Sequence, residues 1–263
     1  MLKAILHGKA GRIEHNKDES VSWSQLFKAR EDLLTSTVFE RFAYLSTPVQ
    51  SKLLQNWLGT ETEFQGFEHI DYWPSYSLSA NEKRRRVEPD LVLKFETANV
   101  IVEIKPPAGG NQCKKQWQRE IESFVQSGER DHLPLYFLAI GRAPDRATLS
   151  RWFTELKDAY PEVLNGINAL NWQPAVNSIL ELNKSDLPND QDRRIIEDIL
   201  QVARLYKLKI QFYSWSSLLD KPLPALTMNH SILKIKSINH WDELLMGIEK
   251  NTLSLKDIEQ WKR

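Results

Sequence analysis

The stretch RVEPDLVLKFETANVIVEIKP, Arg86 to Pro106, decides how the rest of the chain is read. Leu91–Phe95 and Val100–Ile104 are rich in β-branched and large apolar residues, and Glu96–Asn99 is the polar break between them. That pattern predicts two strands joined by a tight turn. Side chains alternate faces along a strand. One face of the hairpin therefore carries Leu91, Leu93, Phe95, Val100, Val102 and Ile104. The other carries Asp90, Val92, Lys94, Ile101, Glu103 and Lys105. A two-residue turn at Glu96–Thr97 sets residue 90 opposite residue 103. A four-residue loop over Glu96–Asn99 sets it opposite residue 105. Both registers make Asp90, Glu103 and Lys105 neighbours on one face. A three-residue loop without a bulge would break this, because a one-residue slip flips a whole strand.

Two adjacent carboxylates repel, and a divalent cation removes that cost. A hard ion such as Mg²⁺ is held by one or two carboxylates together with waters and substrate phosphate. A lysine two residues beyond the second carboxylate lies beside it. There it can orient or deprotonate a water, or offset charge building on a phosphate. The arrangement is that of a metal-dependent phosphodiester hydrolase. The plainer reading is a solvated hairpin face with a charge pair, which most isolated Asp…Glu-x-Lys patterns are. Pro89 before the Asp, the hairpin parity, and Pro106–Pro107 straight after the Lys favour a site.

On these residues, Glu88-Pro89-Asp90 followed by Glu103-Ile104-Lys105, the chain resembles the PD-(D/E)xK nuclease superfamily over roughly residues 35 to 142. The resemblance implies an α/β fold. Its restriction-endonuclease-like αβββαβ core is a mixed sheet flanked by helices, and its activity is Mg²⁺-dependent cleavage of DNA, with Mn²⁺ as substitute. Asp90 and Glu103 would hold the ion, with the Ile104 carbonyl as a further ligand, and Lys105 would position the attacking water. In the superfamily an acidic residue from the helix before the sheet often reaches the metal, and Glu40 has the matching place in order. A Gln or Lys from the helix after the hairpin often lies beside the scissile phosphate, and Gln116 is the candidate. As plain helix residues, both would simply face solvent.

Taken in order, residues 1–34 read as an N-terminal arm or edge strands, opening with the apolar patch Leu2–Leu6. Residues 36–58 read as a helix in two pieces. Val38, Phe39, Phe42 and Leu45 have helical spacing, Thr47-Pro48 restarts the helix with Thr as N-cap, and Gly59 stops it. Residues 63–78 supply the first sheet strand, with Pro74 at a bend. Glu68 and Asp71 on it are nearby polar groups better suited to the surface. Lys83, Arg84, Arg85 and Arg86 form a basic run that would track a phosphate backbone, or simply keep a loop soluble. A helix from about Gln112 to Gln126 carries Trp117, Ile121, Phe124 and Val125 on its apolar stripe. Lys114, Lys115 and Arg119 on it are further candidate DNA contacts. Leu133–Ile140 reads as a buried central strand, and Thr148–Tyr160 as a helix. The nuclease core then spans 35–160. Residues 161–263 read as an α+β accessory or partner-binding region, with helices over Trp172–Leu182, Arg193–Tyr206 and Trp241–Lys250 and strands over Lys209–Trp215 and Ser231–Ile238.

Composition narrows the setting. Formal net charge is zero over 263 residues. From Glu82 to Arg119, however, nine Lys/Arg stand against five Asp/Glu, a local basic surplus beside the candidate site. The single Cys113 excludes a disulfide within the chain and any Cys-based zinc site, which points to a reducing compartment and the cytoplasm. No apolar run reaches membrane-span length. The expected activity is a metal-dependent endodeoxyribonuclease, one subunit of a restriction, phage-defence or transposition system, with DNA and protein partners and a homodimer where both strands are cut. Two other readings stand beside it. One is a non-catalytic binding or assembly subunit, which the zero net charge favours. The other is an RNA-cleaving phosphodiesterase.

Overall fold

The hairpin closes in the tighter of its two registers. In the computed structural model, Phe95 N–H donates to the Ala98 carbonyl at 3.0 Å across the two-residue turn. β6 (Leu91–Phe95) and β7 (Asn99–Ile104) pair Leu91 with Val102 and Leu93 with Val100, which sets residue 90 opposite residue 103. The structure describes residues 2–7, 9–14, 20–23, 25–26, 31–78, 86–107, 110–129 and 132–210. All of them belong to one unit, Met1–Phe212.

Five strands form the main sheet in the order β3-β6-β7-β8-β9, with β3 (Phe67–Tyr72) antiparallel to β6. β8 (Leu135–Ile140) and β9 (Leu164–Leu170) run parallel to β7. Every residue of β6, β7 and β8 is buried, as continuous apolar runs covered on both faces should be. Leu91, Leu93, Phe95, Val100, Val102 and Ile104 face the larger core. There they meet α2 (Glu31–Ala43), α3 (Thr47–Leu58), α6 (Trp172–Lys184) and α7 (Asp190–Leu205). Val92 and Ile101 face the smaller core under α4 (Lys114–Ser127) and α5 (Arg146–Ala159), with Trp117, Ile121, Phe124 and Leu156. The result is a helix–sheet–helix sandwich.

Several expectations are corrected. The boundary at residue 160 does not hold. β9 is hydrogen-bonded into the sheet, and α6 and α7 place Val176, Ile179, Ile196 and Ile199 in the larger core. Residues 161–210 are therefore part of the same layered body. β9 escapes a sequence reading because LNGINAL has neither strict alternation nor β-branched density. Gly166 instead lies against Tyr136, whose ring a Cβ there would meet at 3.0 Å. α2 begins at Glu31 rather than 36, with Glu31 and Asp32 in its first turn, where acidic groups complement the helix dipole. Ser46, not Thr47, is the N-cap of α3. Its backbone N–H and hydroxyl both donate to the buried Asp192 carboxylate, at 2.7 and 2.8 Å.

At the N-terminus, Leu2–Leu6 is a short helix, α1. The expected strand pair exists as a separate two-stranded ribbon of β1 (Arg12–Glu14) and β2 (Ser20–Ser22). A second small ribbon pairs β4 (Tyr76–Ser77) with β5 (Arg86–Val87). The strand expected over Lys209–Trp215 lies outside the described residues beyond Ile210. Ser231–Ile238 and Trp241–Lys250 lie wholly outside them. Among the described residues no helix is long and apolar enough to cross a membrane.

Candidate metal centre

β3, β7, β8 and β9 all end at one edge of the sheet, and β6 starts there. In open α/β sheets this edge, beyond the strand carboxyl ends, is where ligands bind. Asp90 stands just before β6, Glu103 is the penultimate residue of β7, and Lys105 follows it. From the layer above, the first residue of α2 brings Glu31 to the same place. Ligand oxygens of Glu31, Asp90 and Glu103 lie within 4.8 Å of one another.

The group is tightly wired. Asp90 Oδ2 accepts the Ile104 N–H at 2.7 Å. The Lys105 ammonium donates to Glu31 Oε1 at 3.1 Å, to the Ile104 carbonyl at 3.2 Å, and to Glu103 Oε1. Gln116, on α4, donates to Glu103 Oε1 at 2.7 Å. The Lys105 backbone is held as firmly. Its N–H donates to the Ile140 carbonyl at 2.8 Å, and its carbonyl accepts from Trp172 Nε1 at 2.8 Å. Gly141, at φ 92°, makes this approach feasible, since a Cβ there would lie 1.9 Å from the Lys105 carbonyl oxygen.

Charge is crowded here. Burial, then the Glu103 charge, pushes the Asp90 carboxyl up to about 8. Burial also raises Glu103, against the pull of Lys105. For Lys105, burial favours the neutral amine, but Glu103 and Glu31 outweigh it and hold its pKa above the ordinary lysine value. Glu120, one turn after Gln116 on α4, is raised well above the usual carboxylate range by burial and by the Glu103 charge. Several acidic groups with one ammonium among them form an oxygen donor set for a hard divalent cation, whose charge would reverse these shifts. The residues present fit such an ion.

Asp90, Glu103, Lys105, Ile104 and Gln116 are thus brought together. Glu40 is not. Its side chain is 58% exposed and lies beside Arg41. Nine residues along a helix is half a turn out of phase with Glu31 and roughly 13 Å further down the axis. Glu31 fills the place expected of Glu40, and its signal was the acidic pair Glu31-Asp32 ahead of Leu33-Leu34. Asp71 pairs with Lys94 instead, at 2.7 Å, and Glu68 is exposed. Among the basic candidates, Lys83, Arg84 and Arg85 lie outside the described residues. Arg86 is exposed and paired with Glu88 at 2.8 Å, Lys114 is paired with Glu155, Lys115 is exposed, and Arg119 is half-buried on α4. Arg142 is a further basic residue at this edge of the sheet. It is exposed directly beyond β8, at φ 53°, a conformation that non-glycine residues seldom adopt.

The chain is 34% identical over 269 residues to uncharacterized protein PM0110 of Pasteurella multocida (strain Pm70), covering 95% of this chain and 96% of that protein. It belongs to the PM0110 family. No family model matches it. Among solved structures, the small subunit (R.BspD6I2) of the heterodimeric restriction endonuclease R.BspD6I aligns at 14% identity. The alignment covers 67% of this chain and 98% of that one, with a TM-score of 0.27, too low to establish a common topology. For this PM0110-family chain, the reading of the site rests on its own geometry.

Proposed function

We propose that the chain is a metal-dependent endodeoxyribonuclease of the restriction-endonuclease-like, PD-(D/E)xK type. The observation that carries this reading is the convergence of Glu31, Asp90 and Glu103 within 4.8 Å, with the Lys105 ammonium bonded to two of them. Structural ion pairs balance charge. A half-buried group with more acids than bases asks for a cation, and nuclease chemistry uses one. Glu31, Asp90 and Glu103 would hold Mg²⁺, or Mn²⁺ in its place. When bound, the ion supplies Lewis-acid stabilisation of the phosphate oxygens.

The chain's own residues do the rest. Lys105, fixed between Glu31 and Glu103, holds the attacking water in line with the scissile bond. Gln116 keeps Glu103 turned toward the centre. The water oxygen forms the new bond to phosphorus as the bridging P–O bond breaks. One strand end keeps the phosphate, and the other, taking up a proton, becomes a hydroxyl. Ile104 contributes mainly through its N–H to Asp90, since its carbonyl is engaged by Lys105. The exposed Lys115 and Arg142, with the Lys83–Arg86 run, would meet the DNA backbone. The setting we propose is a cytoplasmic subunit of a restriction, phage-defence or transposition assembly. Such a subunit works with protein partners, or as a homodimer where both strands are cut.

The test is cleavage of supercoiled plasmid by purified protein in Mg²⁺, Mn²⁺ or EDTA, beside Asp90→Asn. Metal-dependent nicking or linearisation that Asp90→Asn abolishes is the expected result. Cleavage of single-stranded RNA alone would move the substrate to RNA. Failure to cut either polymer with any metal would leave a non-catalytic assembly subunit.

A further inference from the structure

α4 buries its apolar stripe of Trp117, Ile121 and Phe124 under the sheet, and in the middle of that face it also buries a glutamate. Glu120 is 1% exposed. Its Oε2 has no hydrogen-bond partner among the described residues. The charges that act on it most are those of Glu103 and Asp90, both negative. Burying a carboxylate costs several kcal/mol unless it is well paired, and an apolar residue here would continue the stripe. For the fold alone, Glu120 is a liability. Where local rules are broken at such cost, the reason is usually function.

Its position supplies the reason. Residues four apart on a helix lie one above the other, so Glu120 sits a turn beyond Gln116. Glu120 lies close enough to Gln116 and Glu103 for both to act on its carboxyl, and Gln116 itself donates to Glu103 at 2.7 Å. The three side chains form one cluster, and the member shared with the metal centre is Glu103.

We propose that Glu120 is a positioning residue that locks Glu103 and Gln116 in the orientation turning the Glu103 carboxylate toward Glu31 and Asp90. It touches neither substrate nor ion and acts through Glu103. The proposal rests on the metal-centre reading above. It adds that α4 carries a two-residue brace, Gln116 and Glu120, whose function is to hold the ligand on β7 still. Partners that orient metal ligands typically contribute about 10- to 100-fold in affinity.

The experiment is calorimetric titration of the full chain with Mn²⁺ alone, with melting temperature measured in EDTA, for wild type, Glu120→Leu and Glu120→Gln. We expect Glu120→Leu to bind Mn²⁺ about 10- to 100-fold more weakly while melting at or above the wild-type temperature. Glu120→Gln keeps the side-chain shape and a polar end beside Glu103 and should restore most of the affinity. Wild-type affinity in Glu120→Leu would overturn the proposal and leave the metal centre standing. So would a lowered melting temperature in Glu120→Leu that Glu120→Gln repairs without repairing affinity, which would make Glu120 a packing residue. A wild-type chain that binds no Mn²⁺ would overturn the centre and the brace together.

Discussion

Lys94 and Lys105 lie on the same face of the same hairpin, near its two ends, and each is an ammonium held between two carboxylates, Lys94 buried and Lys105 half-buried. Lys94 reaches Asp71 at 2.7 Å and Glu129 at 3.0 Å. Lys105 reaches Glu31 at 3.1 Å and Glu103. What differs is the remainder of each cluster. Asp71 and Glu129 are partly exposed, so water offsets the charge that Lys94 leaves over. Around Lys105 stand two further acids, Asp90 and Glu120, and both Glu103 and Glu120 are shut away from solvent. The Lys94 cluster explains itself as structure, joining β3, β6 and the end of α4. The Lys105 cluster does not, because it sets four acids against one ammonium and buries two of them, Glu103 and Glu120, fully. Between two similar constellations, uncompensated burial separates a structural ion pair from a site.

The largest expected effect breaks the two lysines apart. Lys105→Met should lower plasmid cleavage by about three orders of magnitude, the scale of losing a charged group that acts on the reacting phosphate. Lys94→Met should leave cleavage within a few-fold of wild type and lower the melting temperature instead. Equal losses of activity in both would erase the distinction. Next comes Gly141→Ala, at the Lys105 end of the sheet. Its Cβ would meet the Lys105 backbone oxygen at 1.9 Å, an atom that has little room to shift. A destabilisation of about 2–4 kcal/mol is expected in urea unfolding. Gly166→Ala, which would meet only a Tyr136 ring at 3.0 Å, should cost less.

A smaller effect concerns pH. The Asp90 carboxyl stands at about 8 in the fold against an ordinary 3.8, so between these values the folded chain holds a proton that the unfolded chain has released. Stability without metal therefore falls as pH rises from about 4 toward about 8. Glu103 and Glu120 are shifted in the same direction. The raised Lys105 contributes stability that is lost only above the ordinary lysine value of 10.5, outside this window. Scanning calorimetry in EDTA should show the melting temperature dropping by several degrees across the window. Asp90→Asn should flatten that drop, whereas Asp71→Asn should not. The same fall in both variants would place the titrating groups elsewhere.

The hairpin and its three polar residues were legible because strand parity is a local property: two admissible turn lengths led to the same neighbours. The buried run LYFLAI was legible because a continuous apolar stretch of strand length is also a local signal. Glu31 was not, because membership of the site depends on where α2 starts and how it lies over the sheet. The apolar spacing that marks the helix begins only at Leu34 and Val38, and Glu40 suited the order of elements but not the helix phase. β9 was hidden by Asn and Gly at positions that serve packing, with Asn168 donating to the Trp57 carbonyl at 2.7 Å. Glu120 was hidden by its own type, since a Glu in a helix rich in Lys, Arg and Gln reads as solvated until the helix is docked.

The central claim is that the Lys105 end of the hairpin holds a divalent cation and the Lys94 end does not. Mn²⁺ titration of wild type, Asp90→Asn and Asp71→Asn tests it most directly. The account predicts one saturable site in wild type and in Asp71→Asn, and no measurable binding in Asp90→Asn. Binding that survives Asp90→Asn, or is lost in Asp71→Asn alone, would contradict it.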